Sequence, residues 1–217
     1  MERKNAWETY DEKQLSALEA VCRRYRAFLD AGKTERECAA ETIRQAKAAG
    51  YRDLDAAIEA GETLKAGDKV YCNVMGKSVL LFIIGREKME KGLNIIGAHI
   101  DSPRLDIKQN PLYEDNEIAY LDTHYYGGIK KYQWVTLPLA LHGVVVKKDG
   151  AVVNVAIGEK DDDPVLAVSD LLIHLAQDQM QKKAGDVIEG EALNLIVGGK
   201  PVSGEEKDKV KAGVLAY

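Results

Sequence analysis

The hydrophobic period of this chain changes near residue 67, and that change decides what its first block can fold into. Before it, apolar residues recur every three and four positions. Leu15, Leu18, Cys22, Tyr25 and Leu29 form one stripe, widened by Val21 and Phe28, with Glu19, Arg23, Arg24 and Arg26 opposite. That spacing predicts an amphipathic helix. Gly32 ends it, and Thr34 caps the next helix, with Glu37 three residues on completing a capping box. The second helix carries Cys38, Ala39, Ile43 and Ala46 and stops at Gly50. After residue 67 the apolar runs read as strands. Residues 69–74 and 78–84 form a predicted hairpin around Met75-Gly76-Lys77. Residues 93–99, rich in Ile and weakly alternating, read as a strand buried on both faces. Helices followed by a buried sheet predict an α/β first block over residues 1–104.

Pro103 closes that block, and Pro111 falls in a segment read as a polar loop. Short extended runs follow at 117–121, 134–146 and 151–157, with Asp149-Gly150 as a hairpin turn between the last two. Asp161-Asp162-Asp163-Pro164 reads as an acidic turn. Leu171, Leu172, Leu175 and Gln179 then set a helical period over 166–183. Residues 105–217 are therefore expected to form a second, β-rich domain.

Composition narrows the function classes. Apolar residues make up 46% and charged residues 30%, values of a globular chain. The 30 basic and 35 acidic residues leave a charge of −5, which argues against a nucleic-acid or anionic-membrane partner. Tyr125-Tyr126 and Lys130-Lys131-Tyr132 mimic an aromatic and basic nucleic-acid surface, but the overall acidity speaks against that role. The longest apolar run, 79–84, is far shorter than the roughly 20 residues a membrane helix needs. The N-terminus lacks the apolar core of a secretory signal. Three widely spaced cysteines (Cys22, Cys38, Cys72) form no Cys-x-x-Cys pair, so a reducing cytoplasm is the expected compartment. Gly127-Gly128 and Gly198-Gly199 continue into no phosphate-binding pattern and read as turns.

The strongest chemical signal is Gly97-Ala98-His99-Ile100-Asp101-Ser102-Pro103. In extended chain the side chains of His99 and Asp101 point the same way, and ligands of open α/β sheets bind beyond the carboxyl ends of strands. An imidazole there suits a metal, with the carboxylate fixing its tautomer. From the spacing alone, a packed His beside a helix-capping Asp is the other reading. His174 reads, on its residues, as a polar-face histidine of an amphipathic helix. His142 reads as structural within a strand, and His124 as a solvated residue of a polar turn.

The stretch Gly-Ala-His-Ile-Asp-Ser-Pro-Arg-Leu resembles the Ala-His-x-Asp-Ser-Pro motif of the M18 zinc aminopeptidases, which include the aspartyl aminopeptidases. Tyr126-Gly127-Gly128 follows in the family's order, then Trp134. Leu139, Leu141, Gly143 and Val145 are similar to the family's Leu-x-Leu-x-Gly-x-Val strand, and Leu171-Leu172-Ile173-His174-Leu175 to its Ile-His-Leu segment.

The resemblance implies an α/β metallopeptidase domain interrupted by a β-rich dimerisation domain. It further implies two zinc ions per active site bridged by a water, a glutamate base, and peptide substrates with a free N-terminus. The implied assembly is a homo-oligomer built from dimers, up to a dodecamer. By the same resemblance His99 is a zinc ligand and Asp101 the carboxylate that orients it. His174 is the catalytic-site histidine that one subunit sends toward its neighbour.

Two departures stand out. Val135-Thr136-Leu137-Pro138 replaces the Phe-Asp-Arg-Asp of aspartyl-preferring members, so an acidic substrate preference does not carry over. The family is also about twice as long as this chain, and its remaining ligands and glutamate base have no counterpart here. The chain is therefore expected to be an N-terminal half, inactive alone. A non-catalytic oligomerisation module is the alternative. A mononuclear hydrolase built on His99 and Asp101 ranks behind both, since it needs two further ligands.

Overall fold

The computed structural model describes residues 3–217. It divides into two compact units, one ending at Ser102 and one beginning at Pro103. Among the described residues, no helix is long and apolar enough to cross a membrane.

In the first unit, α1 (Ala6–Thr9) and α2 (Glu12–Ala31) precede α3 (Glu35–Ala48). Both long helices begin with a complete capping box. Asp11 and Gln14 form the first, and the expected pair Thr34 and Glu37 the second. The Glu37 carboxylate accepts the Thr34 N–H at 2.9 Å, and the Thr34 hydroxyl accepts the Glu37 N–H at 3.3 Å. Each box satisfies donors that a helix start otherwise leaves orphaned. Gly32 ends α2 and lets α3 come close, since a Cβ there would lie 2.6 Å from Cys38 Sγ. Next come β1 (Arg52–Asp53), α4 (Leu54–Glu59), β2 (Lys69–Val74) and β3 (Ser78–Ile83). β1 pairs parallel with β2, and β2 antiparallel with β3. The predicted hairpin forms as read, with Met75 and Gly76 both at positive φ, 56° and 66°. That pair of angles matches the right-handed twist of the flanking strands.

The third expected strand does not form. Residues 93–99 take no ladder partner among the described residues and adopt no regular structure. Ile95 is 82% exposed and Ile96 fully so. An apolar run becomes a strand only when a neighbour satisfies its N–H and C=O groups, and here it has none.

The second unit opens with β4 (Arg104–Asp115), followed by β5 (Ile118–Tyr126), β6 (Leu141–Val146), β7 (Val152–Ile157), β8 (Leu195–Gly198) and α5 (Lys209–Ala216). One sheet has the order β4-β5-β8 and the other is the β6-β7 hairpin, all antiparallel. β4 corrects the polar loop expected around Pro111. Its register shifts between Ile107 and Leu112, and such an irregularity is where a strand tolerates proline. The turn at Asp149-Gly150 forms as read, with Gly150 at φ 84° and the Asp149 carboxylate accepting the Ala151 N–H at 3.0 Å.

The helix expected over 166–183 is also corrected. Val168 bridges Val135, Leu166 bridges Leu139, and Ala167 bridges Ile196. Leu166 and Val168 are buried, Val168 in a core with Val135, Ile188, Leu193 and Leu195. Tertiary pairing thus takes these residues as extended chain, overriding their helical spacing. Beyond them only short 3-10 turns form, at Ile173–Leu175 and Gln179–Gln181.

Thr123, fully buried, locks β5 to the segment before β8. Its hydroxyl donates to the Leu193 carbonyl at 2.5 Å, and its N–H donates to Asn194 Oδ1 at 3.0 Å. The acidic turn is built by Asp163, whose carboxylate accepts the N–H groups of Gly158, Glu159 and Lys160 at 2.9, 3.1 and 3.1 Å. The Lys160 N–H foremost, then that of Gly158, holds this carboxyl below its ordinary value of 3.8.

Two outcomes follow from these contacts. Thr123→Val leaves the Leu193 carbonyl unsatisfied and is expected to cost about 1–3 kcal/mol in urea unfolding. A carboxyl depressed on folding stabilises above its unfolded value, and the effect fades as pH falls through the folded one. Acidification from pH 5 to below 3.8 should therefore lower the urea midpoint of the wild type more than that of Asp163→Asn.

Candidate metal-ligating site

His99 and Asp101 lie at the end of the first unit, on the irregular segment that follows β3. The structure brings the two together. His99 Nδ1 lies 3.0 Å from the Asp101 backbone carbonyl and 3.3 Å from its carboxylate Oδ1. With both neighbours acceptors, Nδ1 carries the proton and donates, which leaves the lone pair on Nε2. The imidazole is 85% exposed, so Nε2 is accessible. A histidine whose Nδ1–H is held by a carbonyl and a carboxylate presents its Nε2 lone pair in a fixed orientation. Spacing alone did not signal the nearer acceptor, which is a main-chain oxygen and depends on local backbone geometry.

The donor set is incomplete. Among the described residues, no group of three or more His, Cys, Asp or Glu side chains could hold a metal. A zinc site takes at least three protein ligands, so the residues present do not by themselves fit a zinc ion, and no catalytic step is derived through one.

The other histidines lie in the second unit. His174, placed on an expected helix, instead sits exposed on the 3-10 turn Ile173–Leu175. The turn is flanked by exposed Leu171 and Leu172, with Ile173 and Leu175 also exposed within it. His142 lies on β6, with Nε2 2.8 Å from Glu159 Oε1, a contact that ties the strand to the turn after β7. His124 corrects the expected polar turn. It lies within β5, opposite Asp106, and stacks on Tyr125 with ring centroids 5.5 Å apart. Arg104, the last polar residue of the motif, opens β4. Its guanidinium lies 4.2 Å from the Tyr126 ring centroid, and its Nε donates to Asp106 at 2.7 Å.

The geometry at His99 makes a direct prediction. Nitrogen-15 NMR of neutral His99 should show the Nδ1-protonated tautomer in excess. Asp101→Ala should shrink that excess without abolishing it, because the main-chain acceptor remains. A predominant Nε2-protonated form in the wild type would contradict the orientation described.

Residues 28–217 match the model of the family described as aminopeptidase I zinc metalloprotease, M18. The chain is 59% identical over 215 residues to the probable M18 family aminopeptidase 1 of Clostridium acetobutylicum, an alignment covering 99% of this chain and 46% of that protein. The crystal structure of the M18 aminopeptidase from Thermotoga maritima superposes with a TM-score of 0.89 at 42% identity, over 100% of this chain and 46% of that one. The mApe1 dodecamer of S. cerevisiae has the same fold at 18% identity, with a TM-score of 0.62 over 86% of this chain and 40% of that one. The chain thus spans about half the length of the curated relatives it matches. With the motif, the mixed α/β architecture and the match over residues 28–217 in agreement, the chain belongs to the M18 family of zinc metalloproteases.

Proposed function

We propose that the protein to which these residues belong is a zinc-dependent aminopeptidase, releasing amino acids from the free N-terminus of peptides. The observation that carries this reading is the His99–Asp101 pair, with Nδ1 held and Nε2 open, inside a chain matched by the M18 family from residue 28 onward. In this reading His99 is a first ligand to a pair of zinc ions and Asp101 its orienting carboxylate. His174 serves the active site of a neighbouring subunit. Its exposure on a turn among exposed leucines is compatible with a contact to another chain.

The assembly proposed is a homo-oligomer built from dimers. The dodecameric state of a yeast protein of the same fold supports it, as does the general preference of homo-oligomers for closed symmetry. The compartment proposed is the cytoplasm, consistent with three cysteines that form no disulfide. The single donor at His99 supports one further element of the reading: residues 1–217 alone do not turn over peptide.

The test uses an extended chain, in which residues 1–217 continue into the remainder of the Clostridium acetobutylicum relative. Supplied with zinc, it is expected to hydrolyse amino-acid p-nitroanilides, while residues 1–217 alone do not. His99→Ala in the extended chain should remove bound zinc and turnover together. Asp101→Asn should lower metal affinity or activity by about 10–100-fold. An extended chain that folds and oligomerises but neither binds zinc nor hydrolyses peptide would leave the oligomerisation module as the better reading.

A further inference from the structure

The segment that carries His174 leaves the core of the second unit and returns to it. It departs at Val168, which is buried and whose carbonyl accepts the Thr136 N–H at 2.8 Å. It returns at Ala176, again buried. It returns a second time at Gln179, whose Nε2 lies 3.5 Å from the carbonyl of Val187, a residue packed on the same core as Val168. Between these anchors, Leu171, Leu172, Ile173 and Leu175 are each more than half exposed. His174 sits among them on an exposed arm.

Burial does not hold the shape of such an arm, so hydrogen bonds must. The Leu175 N–H donates to the Leu172 carbonyl at 2.8 Å, and the Met180 N–H to the Ala176 carbonyl at 2.8 Å. Both bonds are local, and neither ties the start of the arm to its end. The contact that does so is between Asp170 and Gln179. Gln179 Nε2 donates to Asp170 Oδ1 at 2.9 Å, and the same oxygen accepts the Leu171 N–H at 2.8 Å. The two hydrogens of a Gln amide let it serve Asp170 and the Val187 carbonyl together. A carboxylate acceptor makes the stronger kind of hydrogen bond. The pair flanks Leu171–Leu175, the segment that carries the family resemblance, and lies outside it.

We infer that Asp170 and Gln179 are positioning residues for His174. Their hydrogen bond closes the base of the arm and sets the imidazole in one orientation before a neighbouring subunit docks. An arm ordered in advance loses less conformational entropy on docking than one ordered at that moment. A group held in the reacting geometry acts faster than one that must find it. The inference rests on the aminopeptidase reading above, in which His174 serves a neighbour's active site, and adds the residues that aim it.

Two readouts test it. In residues 1–217, amide exchange of Leu175, Ala176 and Met180, followed by NMR, should quicken about 3- to 10-fold in Asp170→Ala and in Gln179→Ala. Asp170→Asn keeps the acceptor oxygen and should hold the wild-type rate. In the extended chain supplied with zinc, Asp170→Ala and Gln179→Ala should each lower kcat/KM on amino-acid p-nitroanilides by about 3- to 10-fold. Bound zinc and oligomer size should not change, and Asp170→Asn should match the wild type. On a His174→Ala background neither substitution should lower the rate further, because residues that act through one another are not additive.

An equal loss on the His174→Ala background, or a change in zinc or oligomer size, marks a merely structural pair and overturns the inference. Unchanged exchange overturns it as well. So does unchanged turnover in both variants where His174→Ala is costly, and there the reading of His174 stands without the clasp. If His174→Ala leaves an active extended chain unimpaired, the role of His174 falls and takes the inference with it. An extended chain that folds but does not hydrolyse peptide removes both. Should the extended chain fail to fold, the full-length Clostridium acetobutylicum relative carrying residues 169–180 of this chain takes the same variants.

Discussion

Every strand in this molecule exists because another stretch of backbone satisfies its N–H and C=O groups, and that requirement governs the rest of the structure. Residues 69–83 carry their own partner across a three-residue turn and fold as a hairpin. Leu166, Ala167 and Val168 find partners at Leu139, Ile196 and Val135 and become extended despite a helical period. Residues 93–99, at least as apolar, find none among the described residues and stay in the open. Burial rewards apolar surface taken from water, but only after the polar backbone beneath it is paired.

The second unit shows how side chains complete what the ladders leave. Thr123 closes the junction between β5 and the approach to β8 from inside the core. Glu114 accepts the N–H groups of Val210 and Lys211 at 2.9 and 2.8 Å, seating the start of α5 on the β4-β5-β8 sheet. Asp163 gathers three N–H groups and so shapes the turn that carries Glu159 to His142. In each case an acceptor serves main-chain donors that no ladder or helix reaches, or a donor serves a stranded carbonyl. These contacts specify a single arrangement more than they add bulk stability.

The site is governed by the same logic at smaller scale. His99 is set by two acceptors of Asp101, one of them main-chain, so its tautomer follows from the local path of the chain. Orientation toward a metal is a further matter. It depends on donors from elsewhere, because a tetrahedral ion takes ligands that sequence neighbours alone rarely supply.

Features that depend on near neighbours were legible in the residues. The capping box of Thr34 and Glu37, the turn at Met75-Gly76, the turn at Asp149-Gly150 and the acidic turn of Asp163 each involve groups within a few positions, so spacing and residue type suffice. The His99–Asp101 pair belongs to this set, as does the motif that marks the family. Features that depend on distant chain were not legible. The extended path of 166–168 was decided by pairing with residues tens of positions away, and the irregular strand through Pro111 and the place of His124 inside β5 by the cross-strand register of β4 and β5. The sequence by itself thus determined the caps, the turns, the apolar segments and the chemistry of the motif. The tertiary structure alone decided which apolar segments became strands, because a strand is defined by its partner and not by its own residues.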